Sequence, residues 1–181
     1  MTVSESVAGP LSPRDARLAP WRAFLEAHAR VSRRLDEELR AEHDLSLAEY
    51  DTLLSIAWSP DRRIRMRTLA DSILLSKSGV TRLIDRLVAD GLVERRTCLS
   101  DARGAEAVLT KAGLDRLRAA SRTHLRGIDD HFLGAIEPAD AAAVERAMRR
   151  VSERVGGGDA GVALGAWGPA QRPTERPTDG S

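Results

Sequence analysis

The chain has 181 residues, the size of one domain with extensions. Its 42% hydrophobic and 30% charged residues are typical of a soluble globular protein, and neither a signal peptide nor an apolar run of roughly 20 residues is present. The net charge of +1 by itself disfavours a nucleic-acid partner, and the single cysteine excludes a disulfide framework, so a reducing cytoplasm is the expected compartment.

Glycine and proline divide the chain into three parts. Residues 1–19 carry two prolines among small polar residues and are predicted to be a flexible N-terminal segment. Residues 156–181 hold seven of the 14 glycines without apolar periodicity, which predicts a disordered tail. The intervening residues 20–155 are poor in proline and are predicted to form one mainly helical domain.

Helical periodicity begins at Pro20, which suits a first turn, and continues as an apolar stripe to Leu39. Ser46 and Glu49 have the spacing of a capping box and predict the start of a second helix. Its predicted apolar face includes Trp58 at the end.

Two further helical patterns, around Leu69 and Leu83, are joined by a tight connection at residues 74–76. This arrangement predicts a helix-turn-helix. Ser76 is expected to cap the second of these helices, whose apolar stripe runs to Val88, and Gly91 is expected to end it in a left-handed conformation.

Beyond this helix the period changes to that of strands at residues 93–97 and 105–109, with residues 98–104 as the loop of a single hairpin. Thr110 is expected to cap a long helix, and Pro138 to open the last one. That last helix repeats apolar residues at steps of three and four, a heptad seam that favours a partner helix. The seam residues are Ala141, Val144, Met148, Val151 and Val155.

Positive charge is concentrated in the predicted helix-turn-helix and hairpin. Residues 61–104 hold ten bases and six acids, a net +4, which leaves −3 for the rest of the chain. Local clustering matters more than the total for binding phosphates, so the segment predicts a DNA-binding surface. The residues expected to contact DNA are Arg65, Ser76, Lys77, Ser78, Thr81, Arg82, Arg86, Arg96, Asp101 and Arg103.

The helix that begins at Ser76 suits a major groove, because short hydroxyls and long cations lie on its predicted outer face. Arg103 at the hairpin tip suits an adjacent minor groove, with Asp101 as its brace. The alternative for each residue alone is an ordinary solvated surface charge.

The same residues resemble the MarR family of winged helix-turn-helix transcriptional regulators, over residues 20–155. Ala102 departs from the family, in which a basic residue is common there. The matching segments are Leu69-Ala70, Ser76-Lys77-Ser78-Gly79-Val80-Thr81-Arg82, Leu87, Asp90-Gly91-Leu92-Val93-Glu94-Arg95, Asp101-Ala102-Arg103-Gly104 and Leu109-Thr110-Lys111-Ala112-Gly113.

The resemblance implies a mainly α fold with a small β-hairpin wing. Residues 46–110 would form the winged helix-turn-helix, flanked by dimerisation helices at residues 20–45 and 111–155. It also implies a homodimer that binds double-stranded DNA at a palindromic operator, usually as a repressor. Family members often release DNA when a small aromatic acid or phenol binds between the two regions.

Candidate ligand-binding residues are Trp21, His28, Asp51 and Arg82. Three of them, Trp21, Asp51 and Arg82, resemble the set of the urate-responsive members. In the alternative interpretation, Trp21 packs against a partner subunit, His28 fills a helix seam and Asp51 pairs with a nearby arginine.

Other functions have less support in the sequence. Cys98, close to the arginines of the hairpin, could make the chain a redox-responsive regulator, because adjacent cations lower a thiol pKa. A winged-helix module that binds protein is a further alternative. No zinc-ligand spacing and no catalytic or phosphate-binding motif is present, so neither a metal, a cofactor nor an enzyme is expected.

Overall fold

The structure, a computed structural model, describes residues 10–72, 77–98 and 101–155. The described ranges hold six α-helices and three β-strands in the order of a winged helix. The helices are α1 (Ala19–His43), α2 (Leu47–Trp58), α3 (Met66–Ser72), α4 (Lys77–Ala89), α5 (Lys111–His131) and α6 (Pro138–Arg154), and the strands are β1 (Arg63–Arg65), β2 (Val93–Cys98) and β3 (Asp101–Leu109).

Several helix ends lie where the sequence predicts them. The Ser46 hydroxyl accepts a hydrogen bond from the Glu49 amide at 3.2 Å, and the Glu49 carboxylate accepts from the Ser46 amide at 2.7 Å, which completes the capping box. Thr110 caps α5 by accepting from the Gly113 amide at 2.9 Å. Gly91 has a φ of 69°, as expected for a left-handed residue after a helix. The Ser76 cap lies outside the described residues.

The predicted hairpin is present as β2 and β3, but the sheet also has a third antiparallel strand that the sequence did not predict, β1, in the order β1-β3-β2. Strand β1 is only three residues long, too short to show an alternating pattern. The loop predicted at residues 98–104 is also too long, since Cys98 already pairs with Asp101.

The core lies between α1, α2, α4, α5 and the inner face of the sheet. The apolar stripe predicted for α4 is buried at Val80, Ile84 and Leu87 but not at Val88, which is 37% exposed. Likewise Trp58, predicted on the apolar face of α2, is 50% exposed. Both lie at the last turns of their helices, beyond the reach of the core. The largest fully buried side chains include Leu39, Leu45, Leu53, Ile56, Leu69, Ile84 and Leu87.

A second apolar surface is left uncovered within the chain. Only the C-terminal half of α1 is buried, at Leu35 and Leu39, while α6 has no buried residue at all. The exposed apolar side chains of α1, α5, α6 and the α5–α6 connection are Trp21, Phe24, Leu25, Leu125, Phe132, Leu133, Met148 and Val151. In the part of the chain that the structure describes, no helix is both long and apolar enough to cross a membrane.

Candidate nucleic-acid interface

Helix α4 presents a polar face opposite its buried stripe. Ser78, Thr81 and Arg82 are all exposed, whereas Val80 and Ile84 of the same helix are in the core. This matches the predicted outer face for these three residues. Lys77 begins α4, but its side chain, like all of Ser76, lies outside the description.

The outer face of the sheet carries two further arginines of the predicted set. Arg65 on β1 and Arg96 on β2 both lie opposite Glu106 on β3, so all three share one face. The Arg96 guanidinium also donates to Glu94 at 2.8 Å. Arg65 and Arg96 are both exposed, and this face therefore presents two guanidinium groups beside the carboxylates of Glu94 and Glu106.

The inner face of the sheet carries an arginine that is not among the predicted DNA contacts. Arg95 lies opposite the buried Ala107 and therefore faces the helices. Its guanidinium contacts the Asp85 carboxylate at 2.9 Å and donates to the Thr81 carbonyl oxygen at 3.4 Å. Strand β2 is thereby tied directly to α4. The alternation of β2 could have assigned Arg95 to this face, because it is two residues from the buried Val93.

Arg86, predicted as a DNA contact, is paired with an acid inside the protein. Its Nη1 donates to Glu49 Oε1 at 3.0 Å. The Glu49 side chain is only 5% exposed, while that of Arg86 is 63% exposed. Glu49 was recognised in the sequence only as part of a helix cap, since its partner lies 37 residues further along the chain.

The remaining predicted residues of the wing lie where the backbone alone is described. Asp101 and Arg103 belong to β3, and Cys98 is the last residue of β2, next to a register irregularity. Their side chains are outside the described part, so the predicted brace between Asp101 and Arg103 stays a prediction.

Two of the four candidate ligand-binding residues, Trp21 and His28, are linked through Phe24, and among the described residues no contact joins them to Asp51 or Arg82. Trp21 stacks on Phe24 with ring centroids 5.9 Å apart, and Phe24 contacts His28 at 6.0 Å. Asp51 lies elsewhere, on α2, and among the described residues no hydrogen bond or ion pair links it to Arg82. Burial raises the pKa of Asp51 from 3.8 to about 6, and no ion pair to this carboxyl is found among the described residues.

Replacing Asp51 with asparagine is expected to stabilise the protein at neutral pH. Because the folded pKa of Asp51 is raised, folding disfavours the charged form, and stability falls as the pH rises from 3.8 to about 6. The Asp51→Asn variant should therefore gain roughly 1–3 kcal/mol in the free energy of unfolding at pH 7 and much less at pH 4. Urea unfolding at both pH values measures the difference.

The difference between variant and wild type is the useful quantity, because His124 changes stability in the opposite sense over the same pH range. Burial lowers the pKa of His124 from 6.5 to about 4, so its contribution is lost as the pH falls through that range. His124 is present in both proteins and cancels. An equal gain at pH 4 and pH 7 would contradict the assignment of a raised pKa to Asp51.

Comparison with known proteins places the fold in a family. A model of the MarR family matches residues 43–104. The crystal structure of AbsC, a MarR family transcriptional regulator from Streptomyces coelicolor, is 30% identical; the match covers 82% of this chain and 98% of AbsC, with a TM-score of 0.71. The chain belongs to the MarR family. Members of this family are transcriptional regulators, so the chain has the fold of a DNA-binding transcriptional regulator, and the predicted fold class is confirmed.

Two further MarR-like structures are informative. Sco3205, a MarR family transcriptional regulator from Streptomyces coelicolor, was solved in complex with DNA; it is 27% identical, with 87% of this chain and 98% of Sco3205 covered and a TM-score of 0.73. The organohalide-sensing regulator RdhR-CbdbA1625, bound to 2,4-dichlorophenol, is 15% identical over 85% of this chain and 89% of its own, with a TM-score of 0.67, and shows the fold alone. A search of curated protein sequences finds no match.

Proposed function

We propose that this MarR-family protein is a homodimeric, sequence-specific repressor that binds a palindromic operator and is released by a small aromatic or phenolic ligand. The observation that carries the proposal is the exposed polar face of α4, with Ser78 and Arg82, beside the exposed arginines of the sheet. Because a transcriptional regulator must reach the chromosome, a cytoplasmic location is part of the proposal.

In this proposal α4 enters the major groove and the wing reaches an adjacent minor groove. Hydroxyls and guanidinium groups at the start of a helix suit base edges and phosphates, and Arg103 suits the negative potential of a narrow minor groove. The DNA complex of Sco3205 supports this docking by similarity. Lys77, Ser76 and Asp101 keep their predicted roles here.

The uncovered apolar surface supports the homodimer. Exposed apolar patches of this kind mark interaction sites, and the heptad spacing of α6 suits a second helix. We therefore assign residues 20–45 and 111–155 to dimerisation and residues 46–110 to DNA binding. A two-fold symmetric dimer would read two half-sites related by the same axis.

The proposed ligand is a small aromatic acid or phenol. The dichlorophenol complex of a protein with this fold shows what one regulator binds. In this chain the candidate ligand-binding residues are Trp21, His28, Asp51 and Arg82. Titration of the free protein with salicylate and with urate, followed by tryptophan fluorescence, tests this part. A redox response through Cys98, or binding of protein rather than DNA, remains the alternative.

Replacing Arg103 with alanine is expected to weaken DNA binding while the dimer survives. Loss of one minor-groove arginine from each protomer should reduce operator affinity on the order of tenfold or more, measured by gel shift at fixed salt. Arg118→Ala on α5 is the matched control, because it removes an arginine that is 67% exposed, lies outside the predicted DNA contacts and pairs only with Asp115 among the described residues. Unchanged affinity of the Arg103 variant would reject the assignment of the wing to DNA.

A further inference from the structure

Two consecutive residues of α4, one acidic and one basic, form ion pairs with the elements on either side of the helix. Its acid, Asp85, pairs with Arg95 of the sheet at 2.9 Å. Its base, Arg86, pairs with Glu49 of α2 at 3.0 Å. Since successive residues of a helix project about 100° apart, the two pairs lie on different sides of α4.

The α2 flank has an anchored acid. Glu49 Oε2 accepts from both the amide and the hydroxyl of Ser46 at 2.7 Å, which leaves Oε1 for Arg86. The start of α2 is itself fixed to α1, because Asp36 Oδ1 accepts from the Leu47 amide at 2.8 Å. Three consecutive polar contacts therefore connect the Arg86 guanidinium to α1: Arg86 with Glu49, Glu49 with Ser46 at the start of α2, and the neighbouring Leu47 amide with Asp36.

The sheet flank has an anchored base. Arg95 is fixed by the antiparallel pairing of β2 with β3 and points to the inner face, away from the outer face that carries Arg96. Its guanidinium makes two contacts with α4, an ion pair with the Asp85 carboxylate and a hydrogen bond to the Thr81 carbonyl oxygen. The base of the wing and α4 are thus joined by side-chain contacts.

The outward face of α4 lies between these two flanks. Arg82 is one turn before Arg86, and Ser78 is a further turn before it, so both project between the two ion pairs. Ion pairs with exposed partners add little stability, and here the exposed partners are Asp85 and Arg86, at 56% and 63%. What the two pairs add to the buried stripe of α4 is therefore geometric, since each ties one side of the helix to a neighbouring element.

We propose that Glu49–Arg86 and Arg95–Asp85 form a two-sided clamp that sets the rotation of α4 and so aims Ser78 and Arg82 at the bases. Arg86 is then a positioning residue and not the DNA contact that its sequence position suggests. The proposal rests on the proposed function, because it concerns how the same α4 face selects its sequence.

Replacing each of the two acids with its uncharged amide tests the clamp, because the clamp and simple electrostatics predict opposite changes in DNA affinity. Each of Glu49→Gln and Asp85→Asn makes the protein more positive by one charge, so electrostatics alone would tighten binding to any duplex. If the clamp aims α4 correctly, both variants should instead bind the preferred DNA sequence more weakly than the wild type. Gln is compatible with the third position of a capping box, but its amide nitrogen then faces the Arg86 donor, so the ion pair is lost while the helix cap is kept.

The probe is a duplex selected from a random-sequence library by the wild-type protein, with a scrambled duplex of equal length as its partner. Both acid variants are expected to bind the selected duplex about fivefold or more weakly, and the scrambled duplex no more weakly than wild type does. Asp115→Asn, the same charge change on α5, is the matched control and should not weaken either complex. Asp85 is exposed, so its variant keeps the test valid if Glu49→Gln fails to fold.

The dependence of DNA affinity on salt concentration distinguishes a positioning role of Arg86 from a phosphate contact. Arg86→Ala should weaken the selected duplex without changing the slope of affinity against salt, and combining it with Glu49→Gln should cost no more than either change alone. A phosphate contact would instead reduce that slope by about 0.9 for each protomer. That result, or tighter binding of the selected duplex by both acid variants, would overturn the clamp alone. Selection of no duplex by the wild type would overturn the proposed function, and the clamp with it.

Discussion

Replacing Gly113 with alanine is expected to destabilise the protein by about 2–4 kcal/mol. An added Cβ would overlap the Leu92 carbonyl oxygen and lie 2.8 Å from Leu109 Cδ1. The carbonyl has no freedom to retreat, since it accepts hydrogen bonds from both the amide and the hydroxyl of Thr110 at 3.1 Å. The first turn of α5 would have to move away from the base of the wing. Urea unfolding measures the loss.

The same substitution at Gly134 is the matched control. There an added Cβ would meet only the Asp129 carbonyl oxygen, at 3.1 Å, in an exposed turn that can shift by a few tenths of an ångström. We expect Gly134→Ala to change the free energy of unfolding by less than about 1 kcal/mol. A comparable loss for both variants would show that the close approach at Gly113 is not the cause.

Replacing Val151 with aspartate is expected to convert the proposed dimer to monomers and so to abolish binding to the proposed operator. Val151 is 57% exposed in the single chain, and Met148, one turn away, is 42% exposed. In the proposed dimer both would be covered by the partner, where an unpaired carboxylate costs several kcal/mol. Sedimentation equilibrium over a range of protein concentrations measures the association directly.

The control for this experiment introduces the same acid on the other side of α6. Arg146 lies roughly half a turn around the helix from Met148 and belongs to the solvent face in the proposed dimer. Arg146→Asp should leave the association constant within about threefold of wild type, since surface substitutions usually change stability little. A Val151→Asp variant that still sediments as a dimer would reject the assignment of α6 to the interface.

The helix boundaries were predictable because they depend on neighbouring residues. Ser46 with Glu49, and Thr110 with the amide three residues later, are contacts within one turn, and the sequence shows both partners together. Gly91 is predictable for the same reason, since a left-handed residue after a helix needs no tertiary partner. The charge cluster at residues 61–104 likewise follows from counting alone.

The contacts that hold α4 were not predictable in the same way. Arg95 faces α4 only because the register of β2 on β3 turns it inward, and Glu49 meets Arg86 only after the chain has folded back over 37 residues. The apolar stripe of α1 shows the related limit of periodicity. The stripe places Phe24 and Leu39 on one apolar face of α1. It does not reveal that Leu39 is buried in the single chain while Phe24 stays exposed.

The hydrogen bonds around Leu92 also bear on how the wing could be altered. Thr110 donates from its hydroxyl to the carbonyl oxygens of both Gly91 and Leu92, so the two ends of the wing are fastened together where it leaves the body. A loop closed at its base tolerates changes of length at its tip at a small entropic cost. In the proposed DNA complex, an insertion between Cys98 and Asp101 would therefore change how far the wing reaches into the minor groove, while the helices beneath stay in place.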